Sequence, residues 1–461
     1  MSKKAWTRLL GDLASGQGSL LRPAHPLKRI AVLSLATTRR QVQASRQTQW
    51  TAYGLSVVLE ELNYHVETCT PETMNDYDIV LYSVTSPIDQ LSMVEAMPPR
   101  NHRSCTVVVG GQGAYPIWAI SDHVDRVMFG RAESVASNVC LTDELYPFVY
   151  DARSDPHIDG HYTVRRHTAL SAQEGSVGCK LGCLFCQYTY TRAYEGNGRN
   201  HYQAGNQGHR VAEDTFVSLP LDTPGHKTTA LDGWSESTRR RVRKGITDNY
   251  IAAKIERAVR EITGTINLKV FQIVGYPWET AESVNRDIEH MRDVLAAADP
   301  PQKHDGRVLI MFLNTPFSPE PLTPMEDDPA NVYTDWRATI LGSSGRGRPV
   351  YKGRNVEAFI LPQIHKPLSL LRRVAVNRGA SADTLRLLNR AKTVEDGMEI
   401  VPGIWEAGAG LRVSDYLSVD FLPPAKAAQF RPNNRIKLTA APEPIAAAEV
   451  CESQPQLMPD R

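Results

Sequence analysis

The chain has 461 residues, with 52 Lys and Arg against 51 Asp and Glu, so its formal net charge is +1. A chain of this length is expected to form two or three domains, and the balanced charge argues against a protein that mainly coats nucleic acid. No apolar run is long enough to cross a bilayer, and no secretory apolar stretch follows the basic N-terminus. We therefore expect a cytoplasmic protein with neither a membrane partner nor a nucleic-acid ligand.

The cysteines fall into one cluster of three and four isolated positions, Cys69, Cys105, Cys140 and Cys451. An uneven set of this kind, in a chain without a secretory signal, favours metal ligands and buried thiols over a disulfide framework. The cluster is therefore the first candidate for chemistry.

Residues 28–140, which follow a loose leader over 1–27, alternate short apolar runs with helical patterns. The predicted strands are Ile30–Leu35, Val66–Cys69, Asp78–Ser83, Thr106–Val109 and Arg126–Phe129, and the predicted helices are Trp50–Leu62 and Ile88–Met97. This alternation is typical of an α/β fold with a doubly wound parallel sheet.

Two predicted strand ends in this region carry small or hydroxyl residues. They are Ser83 and Thr85 after one strand, and Gly110, Gly111 and Gly113 after another. Ligands of doubly wound sheets bind beyond the carboxyl ends of the strands, and glycine lets a ligand approach the backbone closely. These five residues are candidate ligand contacts.

The remaining chain divides into four predicted regions. Residues 141–175 are polar and irregular and are interpreted as a linker, and 176–325 form a second α/β region. Residues 326–422 form a small α-rich region that includes a helix over Ser381–Arg390. Residues 423–461 are rich in Pro and Ala without apolar periodicity, so we expect a disordered tail.

The clustered cysteines are Cys179, Cys183 and Cys186, whose spacing lets one loop aim three thiolates at a single point. Gly178 and Gly182 are expected to make this loop flexible. A structural 4Fe–4S cluster normally takes four cysteines, so three would leave one iron open. The alternatives are a zinc site, which His201 and His209 would have to complete, and a chance cluster.

The cysteine spacing, with aromatic Phe185 before the last cysteine, resembles the signature of the radical S-adenosylmethionine (SAM) superfamily. Three later segments resemble the fourth, fifth and sixth strands of its barrel, namely Ala230–Asp248, Phe271–Thr280 and Leu309–Thr323. The resemblance implies a partial (βα)6 TIM-like barrel in which SAM binds the open iron and Phe185 lies beside the adenine.

The resemblance also implies SAM contacts from Ser235, Glu236 and Gly275. Structural roles are open for the same segments: Ser235 as a helix N-cap, Gly275 as a turn residue and Glu279 as an acid at a helix start. Residues 187–229 are too few for the two further strands and three helices of a full barrel, since one βαβ unit takes about 30 residues. We therefore expect an abbreviated barrel, and the Gly-Gly-Glu motif of the family is not found.

Residues 28–140 resemble the cobalamin-binding domain that precedes the barrel in one radical SAM subgroup. The likeness lies in Val107–Gly113 and Asp125–Glu133, and Asp-x-His-x-x-Gly is absent around His65 and His123. The resemblance implies cobalamin without a protein histidine on cobalt. The alternative is a Rossmann-like domain that has lost its ligand, and neither a nicotinamide fingerprint nor a phosphate loop is present.

These features predict an enzyme with a 4Fe–4S cluster, SAM and cobalamin, most simply a C-methyltransferase acting on a small molecule or peptide. The resemblance also implies an electron donor such as flavodoxin or ferredoxin. A methylthiotransferase is an alternative, although its second cluster would need the dispersed Cys69, Cys105 and Cys140. A degenerate paralogue that only binds a partner is another. Residues 350–416, with basic Lys366, Arg372 and Arg373, are a candidate for substrate binding, although a solvated basic face is the favoured interpretation.

Overall fold

A computed structural model describes most of the chain from residue 66 onward. The described residues are 29–33, 35, 66–84, 86–130, 148–151, 166–167, 172–174, 176–177, 179, 181–191, 195–196, 202–204, 210–212, 216–342, 347–410 and 412–413. The predicted leader, the helix over Trp50–Leu62 and the tail over 423–461 lie outside them. Within these ranges, no helix has the length and apolar character needed to cross a membrane.

The first sheet is six-stranded and entirely parallel, in the order β2-β1-β3-β4-β5-β6. Its strands are β1 (Ile30–Leu33), β2 (Val66–Cys69), β3 (Ile79–Ser83), β4 (Thr106–Gly110), β5 (Arg126–Phe129) and β6 (Val149–Asp151). The first five lie where the apolar runs predict them, because strands covered on both faces bury nearly every side chain. The helix predicted after β3 is confirmed as α1 (Asp89–Ala96).

The second sheet has nine strands in the order β16-β17-β15-β14-β13-β12-β11-β8-β7. These are β7 (Arg166–His167), β8 (Ala172–Glu174), β11 (Tyr202–Ala204), β12 (Arg210–Ala212), β13 (Gly225–Ala230), β14 (Gly264–Val274), β15 (Gly306–Pro316), β16 (Arg348–Lys352) and β17 (Val356–Ile360). A separate pair joins β9 (Ser176–Val177) to β10 (Glu195–Gly196). The run β12-β13-β14-β15-β17 is parallel, so this region is also mixed α/β.

The strands differ from the sequence predictions at two places. The interval 141–175, predicted as an irregular linker, contributes β6 to the first sheet and β7 and β8 to the second. The second sheet continues beyond residue 325, because β17 pairs with β15. Short strands at a sheet edge are held by backbone hydrogen bonds, which polar side chains allow as well as apolar ones. The largely polar β7 and β8 therefore show no apolar alternation in the sequence.

Among the described residues, eight further helices follow α1. They are α2 (Gln187–Thr191), α3 (Glu236–Arg241), α4 (Asp248–Glu261), α5 (Ala281–Ala297), α6 (Trp336–Leu341), α7 (Pro367–Asn377), α8 (Ala382–Arg390) and α9 (Val394–Ile400). Helices α4 and α5 bury apolar faces in a common core with β14 and β15. Hydroxyl side chains cap both helices: Thr247 accepts a hydrogen bond at the start of α4, and Thr280 forms a capping box with Ser283 on α5.

Helices α7, α8 and α9 pack on the first sheet, although almost the whole second sheet lies between them in the chain. Leu370, Val374 and Leu385 belong to the same buried cluster as Val107 and Val109 of β4. The core of the first sheet is therefore completed by the C-terminal helices, and the two α/β regions face each other across the junction.

Candidate functional site

The clustered cysteines lie on a compact loop between β9 and α2. The Cys186 amide donates to the Cys183 carbonyl at 3.1 Å, and the Leu181 amide donates to Cys179 Sγ at 3.4 Å. The Leu184 amide donates to the Val242 carbonyl at 3.2 Å, which ties the loop to the turn after α3. Backbone hydrogen bonds thus fix the loop on both sides of Cys183 and hold it against the second sheet.

The cysteine sulfurs lie close enough to affect one another electrostatically. Burial raises the pKa of Cys183 to about 12; the Lys244 charge opposes the rise, and Cys186 and Cys179 add to it. Cys179 and Cys183 are buried, whereas Cys186 is half-buried. Three cysteine thiols on one loop match an iron–sulfur cluster with an open iron in residue type, and the cluster itself stays a prediction. Among the described residues, no three His, Cys, Asp or Glu side chains converge at metal-ligand distance.

A buried ion pair lies beside this loop. Lys244 Nζ is 2.6 Å from Asp232 Oδ2, and their side chains are only 4% and 10% exposed. Asp232 has a φ of 58°, and its carbonyl accepts a hydrogen bond of 2.9 Å from the Tyr276 hydroxyl. Two segments that the sequence assigns to separate strand ends, 230–248 and 271–280, therefore meet at Asp232.

Glu279 closes the turn at the end of β14. Its Oε2 accepts from the amides of Gly275 at 2.8 Å and Tyr276 at 3.2 Å, and its Oε1 accepts from the Thr238 hydroxyl at 3.1 Å. Burial raises the pKa of Glu279 to about 7, although these donors act in the opposite direction. Gly275 has a φ of +78°, and a Cβ there would lie 2.6 Å from the Trp336 ring. Glycine is therefore required at this turn.

Ser235 and Glu236, both predicted SAM contacts, have structural partners. Ser235 caps α3 by accepting from the Thr238 amide at 3.3 Å. Glu236 accepts from the Asp248 amide at 3.0 Å and pairs with Arg240 at 2.6 Å. The N-cap and turn roles anticipated for Ser235 and Gly275 are thus present, and contact with SAM stays a prediction for these residues.

A cavity of about 640 Å³ opens at the junction of the two α/β regions. Phe185 and Cys186 form part of its wall, together with residues at the ends of β14 and β15. The wall from the first sheet comes from the β3–α1 loop, including Ser86 and Asp89, and from Gln112 after β4. The carboxyl ends of strands from both sheets thus reach one space, which is the usual place for ligands in parallel sheets.

The opposite wall of the cavity comes from α7 and carries two arginines. Arg373 pairs with Glu320 at 2.7 Å. Arg372 donates to the carbonyls of Leu388, Asn389 and Ala391 at the end of α8. The interpretation of these arginines as a solvated face is therefore wrong, whereas Lys366 is exposed and does not line the cavity. The sequence pattern of α7 does not show that its arginines line a cavity, because it does not show which element packs on α7.

Neighbouring backbone atoms occupy the space beside the glycines at the edge of the first sheet. A Cβ on Gly111 would collide with the Val84 carbonyl, and one on Gly113 would collide with the Ser86 backbone. A Cβ on Gly110 would lie 2.8 Å from the Met128 carbonyl. The glycines let the β3–α1 loop pack on the β4 loop, with Ser83 at the contact, so this packing alone accounts for them, and contact with cobalamin stays a prediction. Thr85 lies outside the described residues.

The other sequence candidates divide between buried structural residues and undescribed positions. Cys69 and Cys105 are buried free thiols of the first sheet, as predicted. His123 is buried between the Met97 carbonyl and Arg386, each at 2.9 Å. His65, Cys140, His201, His209 and Cys451 lie outside the described residues.

Comparison of the chain with family models and curated proteins found no relative. No family model matches the chain, and no curated protein matches its sequence. The site is therefore interpreted from its own residues.

Sequence reasoning assigned no role to Asp232, Lys244, Tyr276 or Trp278, which surround the cysteine loop. Their only signal was membership in the segments that resemble barrel strands. A buried Lys with an Asp at the preceding strand end is a detectable pattern, but spacing alone does not show that the two side chains pair.

Proposed function

We propose that this protein is a radical SAM enzyme in which Cys179, Cys183 and Cys186 hold a 4Fe–4S cluster. The observation that carries the proposal is that Phe185 and Cys186 form part of the wall of the 640 Å³ cavity. Cys179, Cys183 and Cys186 would hold the cluster on a loop that borders a space large enough for a ligand. When bound, such a cluster supplies the one-electron cleavage of the SAM sulfonium.

The chain's own residues perform positioning and exclusion of water at this site. Val242, Tyr276, Phe317 and Met325 form a buried cluster on which Leu184 and Phe185 pack. This apolar cluster holds the cysteine loop in place through Leu184 and Phe185 and keeps solvent from the buried thiols. The hydrogen bond from Leu184 to Val242 adds a second anchor. A fixed loop with an apolar support is what positioning of a reactive group requires.

The parallel run β12-β13-β14-β15-β17 supports an abbreviated barrel as the finer description of the second region. The segments that resemble barrel strands four to six begin near the end of β13, near the end of β14 and within β15, respectively. Between Cys186 and β13 the described chain contributes only short elements, which agrees with a shortened first half.

Methyl transfer from cobalamin stays a prediction of the resemblance. The first sheet does direct its carboxyl edge toward the cavity, through Ser86 and Gln112. The space beside the predicted glycines, however, is occupied by neighbouring backbone atoms. The proposal therefore extends to SAM cleavage, and the substrate and the group transferred are left to experiment.

Anaerobic reconstitution of the full chain with iron and sulfide tests the proposal. The wild type should bind about four irons per chain and release 5′-deoxyadenosine from SAM after reduction with dithionite. The triple variant C179A/C183A/C186A should lose both properties. The matched control C69A/C105A changes two buried cysteines of the first sheet and should keep the iron and the cleavage.

Three outcomes would contradict the proposal or favour an alternative. Full iron content in the triple variant would remove the cluster assignment. About eight irons in the wild type, falling to four in C69A/C105A, would favour the methylthiotransferase. A loaded cluster without SAM cleavage would favour a binding protein derived from such an enzyme.

A further inference from the structure

A stacked series of side chains runs from the protein surface to the cysteine loop. The guanidinium of Arg241 lies 3.9 Å from the centre of the Trp278 ring. The Trp278 and Tyr276 rings are stacked at 5.0 Å with an interplanar angle of 1°. Tyr276 in turn lies 6.1 Å from Phe185, which is bonded to Cys186 in the chain. Contacts of this kind are favourable cation–π and aromatic pairs.

The surface end of this series carries exposed arginines. Arg240, Arg241 and Arg243 are all exposed. Arg240 is paired with Glu236, whereas Arg241 and Arg243 take part in no ion pair within the described ranges. Arg243 has a φ of 62°. The turn after α3 thus presents Arg243 to solvent while the next residue, Lys244, is buried against Asp232.

The end of α3 and the turn after it carry Arg241 and Arg243 and are together called the arginine turn. The arginine turn and the cavity adjoin the cysteine loop at different residues. Phe185 borders the cavity, but Arg241, Arg243, Tyr276 and Trp278 do not. The turn contacts the loop directly, through the hydrogen bond from the Leu184 amide to the Val242 carbonyl. A macromolecule on the arginine turn would therefore leave the cavity free for a small ligand.

We infer that the surface formed by Arg241, Arg243 and Trp278 is the docking site of an acidic one-electron donor protein. The inference rests on the proposed function, because it assigns the partner of the cluster held by the cysteine loop. Two unpaired arginines attract a negatively charged surface and raise its association rate. The contacts beneath them give that partner a short path to Cys186. A nucleic acid is disfavoured, since it would have to reach the cavity to be a substrate.

The electron balance of the step is simple. The reduced donor, of flavodoxin or ferredoxin type, loses one electron, and the cluster gains that electron. No proton transfer or bond cleavage accompanies the docking step. The oxidised donor then leaves.

Binding of an oxidised, acidic flavodoxin to the full chain tests the inference without relying on catalysis. In low salt, R241E/R243E should weaken the affinity by about tenfold, and added salt should shrink the difference. The matched control is K303E/K352E, which reverses two exposed lysines near the opposite, amino-terminal edge of the second sheet. The control should bind as tightly as the wild type, and circular dichroism should show that both variants fold.

The rate of cluster reduction provides a second readout. Reduced flavodoxin should reduce the cluster of R241E/R243E about tenfold more slowly than that of the wild type. Dithionite, which needs no docking surface, should reduce both at the same rate. If the wild type assembles no cluster, the proposed function fails, while the binding result still decides whether this surface is a docking site.

Three results would overturn the inference. The first is no binding of flavodoxin by the wild type in low salt. The second is an equal loss of affinity in R241E/R243E and K303E/K352E, which would indicate a general charge effect. The third is that R241E/R243E keeps its affinity for flavodoxin but loses affinity for a single-stranded RNA oligonucleotide, which would assign the surface to nucleic acid.

Discussion

The ammonium group of Lys244 lies 2.6 Å from the carboxylate of Asp232 inside the protein, next to the cysteine loop. Two opposite charges in such a place are stable only together, because burial removes the water that would solvate each of them. The pair also joins the end of β13 to the turn that follows α3. It therefore fixes two segments that lie beside the cysteine loop.

Removing one member of this pair should be strongly destabilising. We expect K244M to lower the free energy of unfolding by about 3–5 kcal/mol, because it leaves Asp232 buried and unpaired. The double variant D232N/K244M should recover a large part of the loss. Urea denaturation of the full chain measures both. The control R240M breaks an exposed pair with Glu236 and should cost about 0–1 kcal/mol; a similar cost for K244M would contradict this prediction.

Glu279 should make the stability of the protein depend on pH. Its pKa rises from 4.5 in the unfolded chain to about 7 in the folded protein, because the carboxyl group is buried. The folded state therefore holds this proton more tightly. Stability contributed by Glu279 should be fully present below about pH 4.5 and should fall by about 3 kcal/mol as the pH rises through 7.

Denaturation curves between pH 5 and 8 should show this fall in the free energy of unfolding of the wild type. The contribution of the other titrating groups is the part that remains in E279Q. E279Q should flatten the Glu279 contribution, since a neutral side chain can keep accepting from the Gly275 amide. E282Q is the matched control, because Glu282 lies on the first turn of α5 and is exposed to solvent. An unchanged slope in E279Q would show that Glu279 is ionised in the folded protein throughout this range.

Two glycines near the site should respond differently to alanine. At Gly275, alanine must adopt a positive φ and place its Cβ against Trp336, so G275A should cost at least about 2 kcal/mol. At Gly182, a Cβ would meet nothing within 4 Å, so G182A should change the stability by less than about 0.5 kcal/mol. Thermal melts of the two variants compare them directly. A large loss of stability in G182A would show that the cysteine loop needs the backbone flexibility that the sequence predicts for Gly182.

Cobalamin offers a spectroscopic prediction. His123 is buried and already bonded to the Met97 carbonyl and to Arg386. Any cob(II)alamin retained by the full chain should therefore show no nitrogen superhyperfine splitting from a protein histidine in paramagnetic resonance. Splitting that disappears in H123A would contradict this expectation, and failure to retain cobalamin would remove methyl transfer from consideration.

The first five strands of the first sheet were the most predictable part of the fold. Runs such as Thr106–Val109 are apolar because both of their faces are covered, and that property is visible in the sequence. The edge strand β7 and its neighbour β8 were not predictable, because backbone pairing leaves no mark in their polar side chains. Nor was the packing of α7, whose apolar stripe does not reveal which sheet it covers.

The candidate site shows the same division. The spacing of Cys179, Cys183 and Cys186 predicts a compact loop, and backbone hydrogen bonds do hold these residues together. The partnership of Asp232 with Lys244 and the ring stack on Tyr276 depend on how distant segments meet. The glycines after β4 show the limit of motif reasoning, because close packing of two loops requires them as much as a ligand would.

The shared core of the first sheet and the C-terminal helices has a consequence for synthesis. During translation, β4 and β5 leave the ribosome long before α7 and α8, which supply Leu370, Val374 and Leu385 to the same core. Until then, part of the sheet face is uncovered, and uncovered apolar surface on a nascent chain promotes aggregation and chaperone binding. The N-terminal half would therefore mature late, and nascent chains released before α7 should be the form that chaperones retain.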